Sequence, residues 1–245
     1  QLSLRRQRQM CIRDRPKPVT LHAEVKAELG GSGIVSGWGL TEAPILSMGA
    51  DTDPDDKLAT SEGKAMPGVD LITVKADGSL AKSGEEGELR AKAPQLMLGY
   101  LDASLDKEAF DENGYFRTGD LGIIDEDGYV VISGRLKDVI IRHGENISAK
   151  EVEDLLFGHP QIADIAVIGL PDTVTGERAC AVVSTAEDHS PITLSELRTF
   201  LENAGLRKNA IPEQLMIIDS IPRNPSGKVT KNILQEQFKT VPFER

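Results

Sequence analysis

Hydrophobic and polar positions follow two different rhythms along this chain. Between residues 60 and 134, apolar residues come in short runs broken by glycine and aspartate, the pattern of half-buried strands. Val69–Lys75, Glu88–Ala91, Tyr115–Phe116, Leu121–Asp125 and Tyr129–Ser133 are predicted strands, with Asp77-Gly78 and Asp127-Gly128 as turns. Ser104–Phe110 reads as a short helix. Upstream, Val35–Gly39 reads as a strand end entering a loop, and acidic Asp51–Lys57 as a loop around its proline.

The pattern changes near Gly134–Asp138. Val139–Arg142, Ile162–Leu170, Arg178–Thr185 and Leu215–Ile218 are predicted strands. Ser148–Phe157 and Thr193–Glu202 each begin with a hydroxyl residue followed three positions later by glutamate, which marks a capped helix start. Lys231–Phe238 reads as a terminal helix. The expected fold is mixed α+β and α/β: a small antiparallel β-rich unit over 60–134 and a compact α+β unit over 135–245, joined near Gly134–Asp138. No internal repeat or low-complexity segment interrupts this reading.

Composition narrows the picture. The chain has 245 residues, 39% hydrophobic and 27% charged, an ordinary globular balance. Lys and Arg number 28 against 39 Asp and Glu, which argues against general nucleic-acid binding. No apolar run reaches the roughly 20 residues that span a bilayer. Cys11 and Cys180 are the only thiols, so no disulfide framework exists, and a cytoplasmic location is expected. The four histidines show no metal-ligand spacing. Residues 1–18 carry Arg5, Arg6, Arg8, Arg13, Arg15 and Lys17 against Asp14 alone. This stretch is read as a foreign or disordered segment outside the fold.

Four stretches carry candidate chemistry. Gly37-Trp38-Gly39-Leu40-Thr41-Glu42 puts a hydroxyl and a carboxylate after a strand, between glycines that let backbone approach a ligand. Thr41 and Glu42 suit Mg²⁺, a hard cation that prefers oxygen donors, although a turn with a surface glutamate would look the same. Thr118-Gly119-Asp120 offers a carboxylate on a sharp turn, able to accept the hydroxyls of a ribose or simply to close the turn. Arg135, after Gly134, can fork onto phosphate or carboxylate, or form a surface ion pair. Lys228, in the loop Pro222-Arg223-Asn224-Pro225-Ser226-Gly227-Lys228, presents a point charge suited to phosphate, or a solvated side chain.

Together, and in this order, these stretches resemble the adenylate-forming superfamily of AMP-forming acyl-CoA synthetases, luciferases and peptide-synthetase adenylation domains. Gly87-Glu88-Leu89, Gly99-Tyr100 and Ile140–Ile147 add to the resemblance, which runs from about Val19 to Phe238. It implies an AMP-forming acid–CoA ligase that activates a carboxylic acid, fatty or otherwise apolar, with ATP and Mg²⁺ and passes the acyl group to coenzyme A. On that resemblance 19–134 is the end of the large AMP-binding domain and 135–245 the small C-terminal domain. Gly37, Trp38 and Gly39 line the adenine and acyl region, Thr41 meets the α-phosphate and Glu42 holds Mg²⁺. Asp120 binds the ribose, with Arg135 beside it. Lys137 is the hinge, Gly144 borders the pantetheine path, and Lys228 is the adenylation lysine. The family's upstream phosphate loop and most of its large domain are missing, so the 245 residues are expected to be part of a longer ligase and nearly inactive alone. An adenylation module that loads a carrier protein, or a non-catalytic fragment, are the alternatives.

Overall fold

Glycine-bounded strands, too short for helices and rich in β-branched residues, fold residues 19–137 into two antiparallel sheets. The computed structural model describes residues 19–225 and 227–243, and the basic stretch 1–18, Cys11 and Ser226 lie outside them. The described chain divides between Lys137 and Asp138 into two compact units.

In the first unit the order is α1 (Val19–Leu29), β1 (Gly37–Trp38), β2 (Ser47–Met48), α2 (Asp55–Thr60), β3 (Lys64–Ala65), β4 (Asp70–Val74), β5 (Gly87–Lys92), α3 (Asp106–Ala109), β6 (Phe116–Ile124) and β7 (Val130–Arg135). Strands β1-β2-β3 form one sheet and β4-β5-β6-β7 a four-stranded meander. Trp38, Ala43 and Leu46 from the small sheet and its loop pack on Leu89, Ala91 and Val130 of the meander, forming the core. The β6–β7 turn is the one expected at Asp127-Gly128: Gly128 has φ +84°, and Asp125 Oδ1 accepts the amides of Asp127 and Tyr129.

Two expectations need correction here. Asp51–Lys57 is not loop throughout, because α2 starts at Asp55. Asp55 and Asp56 in its first turn complement the helix dipole, and Leu58 is its buried anchor. Tyr115–Phe116 and Leu121–Asp125 are not separate strands. One strand, β6, runs from Phe116 to Ile124 and is interrupted by a bulge.

The second unit contains β8 (Val139–Arg142), β9 (Glu145–Ser148), α4 (Ala149–Leu156), β10 (Ile162–Asp172), β11 (Gly176–Thr185), α5 (Leu194–Asn203), β12 (Gln214–Ile217) and α6 (Lys231–Phe238). Strand β11 pairs antiparallel with β10 and β8 and parallel with β12. Both faces of β10 and β11 are covered, which explains their continuous apolar runs. Val167, Ala179, Ala181 and Val183 face a core shared with Val152, Leu156, Leu197 and Leu201 of α4 and α5. Ala166, Ile168, Cys180 and Val182 point the other way, onto Leu234 and Phe238 of α6. Burying each leucine side chain of this kind contributes about 1.5–3 kcal/mol. Ser148 Oγ accepts the Glu151 amide, and Thr193 and Glu196 form a reciprocal capping box.

Candidate functional site

The bulge in β6 is built by three adjacent residues. Glu88 pairs with Leu121 and Arg90 with Arg117, so Leu89 alone faces Thr118, Gly119 and Asp120. Thr118 Oγ1 donates to the Leu89 carbonyl at 2.6 Å and accepts the Asp120 amide at 3.1 Å, replacing the missing ladder bonds. Gly119 takes φ +69°, which a side chain would resist. Asp120 therefore sits within a strand rather than on the sharp turn expected from sequence.

Asp120 is 4% exposed. Oδ2 accepts Trp38 Nε1–H at 2.8 Å and Oδ1 pairs with Arg135 Nε at 2.9 Å. Arg135 reaches it because Asp120 and Arg135 are register partners across β6 and β7. Trp38 comes from β1, 82 positions earlier, with its ring in the core and 8% exposed. A carboxylate has about four acceptor sites, so Asp120 can take further donors beside these two.

The segment after Trp38 folds back tightly. The Leu46 amide donates to the Trp38 carbonyl at 2.7 Å and the Leu40 amide to the Ala43 carbonyl at 3.0 Å. A Cβ on Gly39 would lie 2.3 Å from the Ile45 nitrogen, and one on Gly37 would meet Met48 Sδ at 2.8 Å. These glycines thus serve close approach of the chain to itself. Thr41 is exposed on the loop and Glu42 half-buried. Glu42 Oε1 accepts the Tyr100 hydroxyl at 3.0 Å. Among the described residues Oε2 accepts no hydrogen bond and no lysine or arginine pairs with this carboxylate. Burial and the Glu42 carboxylate together raise the Tyr100 phenol above its ordinary pKa.

In the second unit, Lys228 is exposed on a loop closed by the Arg223–Val229 bridge. The Lys228 amide donates to Asn224 Oδ1 and the Asn224 amide to the Lys228 carbonyl, both at 2.9 Å. Gly227 has φ +89°, and Arg223 ties the loop to Asp164 at 2.6 Å. Three residues on, Lys231 pairs with Glu153 at 2.8 Å. Burial pushes the Glu153 carboxyl up, while Lys231 and the Val167 amide pull it down. Gly144 lies in the two-residue β8–β9 turn, with His143 at φ +51° and Gly144 at φ +78°. A Cβ on Gly144 would meet nothing within 4 Å, so the turn's backbone, not crowding, calls for glycine.

Two family models match: AMP-binding enzyme over residues 2–101, a range that includes the basic stretch, and AMP-binding enzyme C-terminal domain over 151–228. The chain belongs to the AMP-binding enzymes. It is 37% identical over 209 residues to a medium-chain fatty-acid–CoA ligase of Escherichia coli, covering 85% of this chain and 37% of that one. It is 38% identical over 208 residues to a salicyl-AMP ligase / salicyl-S-ArCP synthetase of Mycobacterium tuberculosis, covering 84% of this chain and 36% of that one. The chain thus spans little more than a third of these curated relatives. ATP-bound MatB from Rhodopseudomonas palustris has a TM-score of 0.84 at 32% identity, over 93% of this chain and 45% of that one. An o-succinylbenzoate CoA synthetase from Bacillus subtilis, in complex with its acyl-adenylate, has a TM-score of 0.80 at 30% identity, over 95% and 46%. The mixed α/β fold with antiparallel sheets is that of adenylate-forming enzymes.

Within this chain, the first unit brings Trp38, Asp120 and Arg135 into one bonded cluster and carries Gly37, Gly39, Thr41, Glu42 and Lys137. Gly144 and Lys228 belong to the second unit. Sequence reasoning gave no role to Tyr100, although Gly99-Tyr100 was among the family-like pairs, and none to Thr118 as the bridge of the bulge. Among the described residues no helix is long and apolar enough to cross a membrane. No group of three or more His, Cys, Asp or Glu side chains there is placed to hold a metal ion.

Proposed function

We propose that this chain is part of an AMP-forming acid ligase that joins a carboxylic acid to AMP and then passes the acyl group to coenzyme A. The observation that carries the reading is the convergence of Trp38, Asp120 and Arg135, from three separate stretches of sequence, on one buried carboxylate. In the first half-reaction the acid's oxygen attacks the α-phosphorus of ATP, a P–O bond forms, and pyrophosphate leaves with its bonding electrons. Two anions must meet, so positive charge has to be supplied.

In this reading Asp120 accepts ribose hydroxyls while Trp38 and Arg135 hold it still. Thr41 donates to the α-phosphate. Glu42 fits Mg²⁺: the cation favours one or two carboxylates in the company of phosphates, and the Glu42 carboxylate is oriented by a neutral hydroxyl and carries no cationic partner among the described residues. The ion would supply positive charge at the phosphates. Lys228 stabilises the charge that develops on the transferring phosphoryl group. Lys137 serves as the pivot that lets the small domain bring Lys228 in and withdraw it, and Gly144 borders the path of the pantetheine arm. In the second half-reaction the thiol sulfur forms a bond to the acyl carbon, the bond from that carbon to the phosphate oxygen breaks so that AMP departs with its electrons, and the thiol proton passes to solvent. The acid itself is expected to be fatty or otherwise apolar, and the enzyme cytoplasmic.

The test is Lys228→Ala in the full-length ligase, with the half-reactions assayed separately. Adenylation, read by pyrophosphate exchange, should fall by about 10²–10³, the usual effect of losing one transition-state donor. Thioester formation from supplied acyl-adenylate should change far less. Equal losses in both would overturn the role given to Lys228. A second reading, loading of a carrier protein, is favoured by the likeness to the salicyl-AMP ligase / salicyl-S-ArCP synthetase. Presenting coenzyme A and a phosphopantetheinylated carrier to the same acyl-adenylate complex separates the two.

A further inference from the structure

We infer that Tyr100 is a positioning residue for Glu42, a clasp that sets the carboxylate's direction while leaving its charge intact for a cation. The inference rests on the reading of Glu42 as the Mg²⁺-binding carboxylate and deepens it.

Glutamate is a poor fixed ligand by itself, because a half-buried side chain with three rotatable bonds loses rotamer freedom when held. Here the chain holds it at two points. The Met97 amide donates to the Glu42 carbonyl at 2.8 Å, and the Tyr100 hydroxyl donates to Glu42 Oε1 at 3.0 Å. Both donors come from one segment, and that segment is anchored in turn. The Tyr100 amide donates to Asp106 Oδ1 at 2.9 Å, at the start of α3. Gly99 has φ +153°, and a Cβ there would lie 2.7 Å from Asp106 Oδ2, so the anchor needs glycine before the tyrosine.

The type of donor matters as much as its place. A lysine or arginine at the same distance would orient Glu42 but neutralise it, and the carboxylate would then offer little to a second cation. A phenol hydroxyl is neutral, so it fixes Oε1 and leaves the negative charge with Oε2 open. Orienting a first-contact ligand by a hydrogen bond from behind is a general way of tightening a metal site.

The experiment compares wild type, Tyr100→Phe and Glu42→Gln in the full-length ligase. Mn²⁺ serves as the probe, its binding read by electron paramagnetic resonance with and without ATP. The phenylalanine keeps the ring and removes one hydrogen bond to a charged group, so Mn²⁺ affinity in the ATP complex should weaken about tenfold. ATP affinity without divalent metal should stay at the wild-type value, and the apparent KM for metal should rise more than kcat falls. Far-ultraviolet circular dichroism and a thermal midpoint at the wild-type values will show that the variant is folded. If Tyr100→Phe binds Mn²⁺ like wild type while Glu42→Gln does not, the clasp is refuted and the metal reading survives. If Glu42→Gln also binds like wild type, the metal reading fails and the clasp with it. Equal weakening of metal-free ATP binding would overturn the inference in favour of a purely structural tyrosine.

Discussion

Thr118→Val isolates what the β6 bulge costs to hold together. Valine matches threonine in shape and suits a strand, so packing is nearly unchanged. What goes is the hydroxyl that donates to the Leu89 carbonyl and accepts the Asp120 amide. Thr118 and Asp120 are buried and Leu89 fully so, so neither orphaned group reaches bulk water easily. Each unsatisfied buried backbone group costs about 1–3 kcal/mol, and water entering the bulge sets the lower end. The expected loss is about 2–4 kcal/mol, a large share of the 5–15 kcal/mol typical of a domain. With a urea slope of about 2 kcal/mol per molar, the midpoint falls by about 1–2 M. Trp38 is the sole tryptophan, and Tyr100, Tyr115 and Tyr129 are the sole tyrosines. All four lie in residues 19–137, so intrinsic fluorescence follows that unit alone. Thr118→Ser keeps the hydroxyl and loses one methyl, about 0.8 kcal/mol. Coincident urea transitions for the valine and serine variants would show that the hydroxyl does not carry the bulge.

Gly144→Ala should destabilise the second unit by about 1 kcal/mol through φ alone, since a Cβ there meets nothing within 4 Å, and Gly144→Asn should be milder because asparagine tolerates the left-handed region. Thermal unfolding by circular dichroism checks both, and an alanine variant as stable as wild type contradicts the turn assignment. His159 gives a pH prediction: burial, only partly offset by Glu196, depresses its pKa, and its Nδ1 accepts the Gln161 amide at 3.3 Å. The native state therefore binds this proton less readily than the unfolded chain, so its contribution is complete above the unfolded value of about 6.5 and is lost as pH falls toward the native one. His159→Phe should flatten the fall in urea midpoint over that interval, and an unchanged slope would reject the assignment.

The elements legible in the sequence were those whose signal is local. Strands β10 and β11 announce themselves because both faces are covered and their central runs, 165–170 and 179–183, carry no polar side chain, and α4 and α5 because their caps are written in Ser148, Thr193 and Glu196. Helix α1 carries the opposite signal. Its buried side chain is His22, whose Nδ1 accepts the Ile34 amide at 3.1 Å, while Leu29 is exposed. Strands β1, β2 and β3 have two residues each, too few to show a period. The site divides along the same line. Its members were readable as motif residues, but the bonds among them span 58 positions for Tyr100–Glu42 and 82 for Trp38–Asp120, and no local pattern reports a pairing that a sheet creates.

That division explains why glycine and polar residues alternate so closely in these motifs. Gly39 has the Ile45 backbone nitrogen 2.3 Å from where its Cβ would stand, Gly119 supplies the left-handed step of the bulge, and Gly144 supplies the last step of a turn. Each is accounted for by the chain's own geometry. The residues between them are not: Thr41 is exposed, Glu42 keeps one oxygen without a hydrogen bond among the described residues, and Asp120, paired with Arg135, stands in a bulge that a regular sheet would not need. Ile45 adds to the contrast, a β-branched residue held at φ +51° at a cost on the order of 1–3 kcal/mol. A loop chosen for stability alone would place glycine or asparagine there. Its strain is maintained by the neighbouring Leu40–Ala43 and Trp38–Leu46 bonds, which hold the segment bearing Thr41 and Glu42 in one shape. Substitutions at the glycines should therefore register first in folding, and substitutions at Thr41 and Glu42 first in ligand binding, with Thr118 the one motif hydroxyl that belongs to the former group.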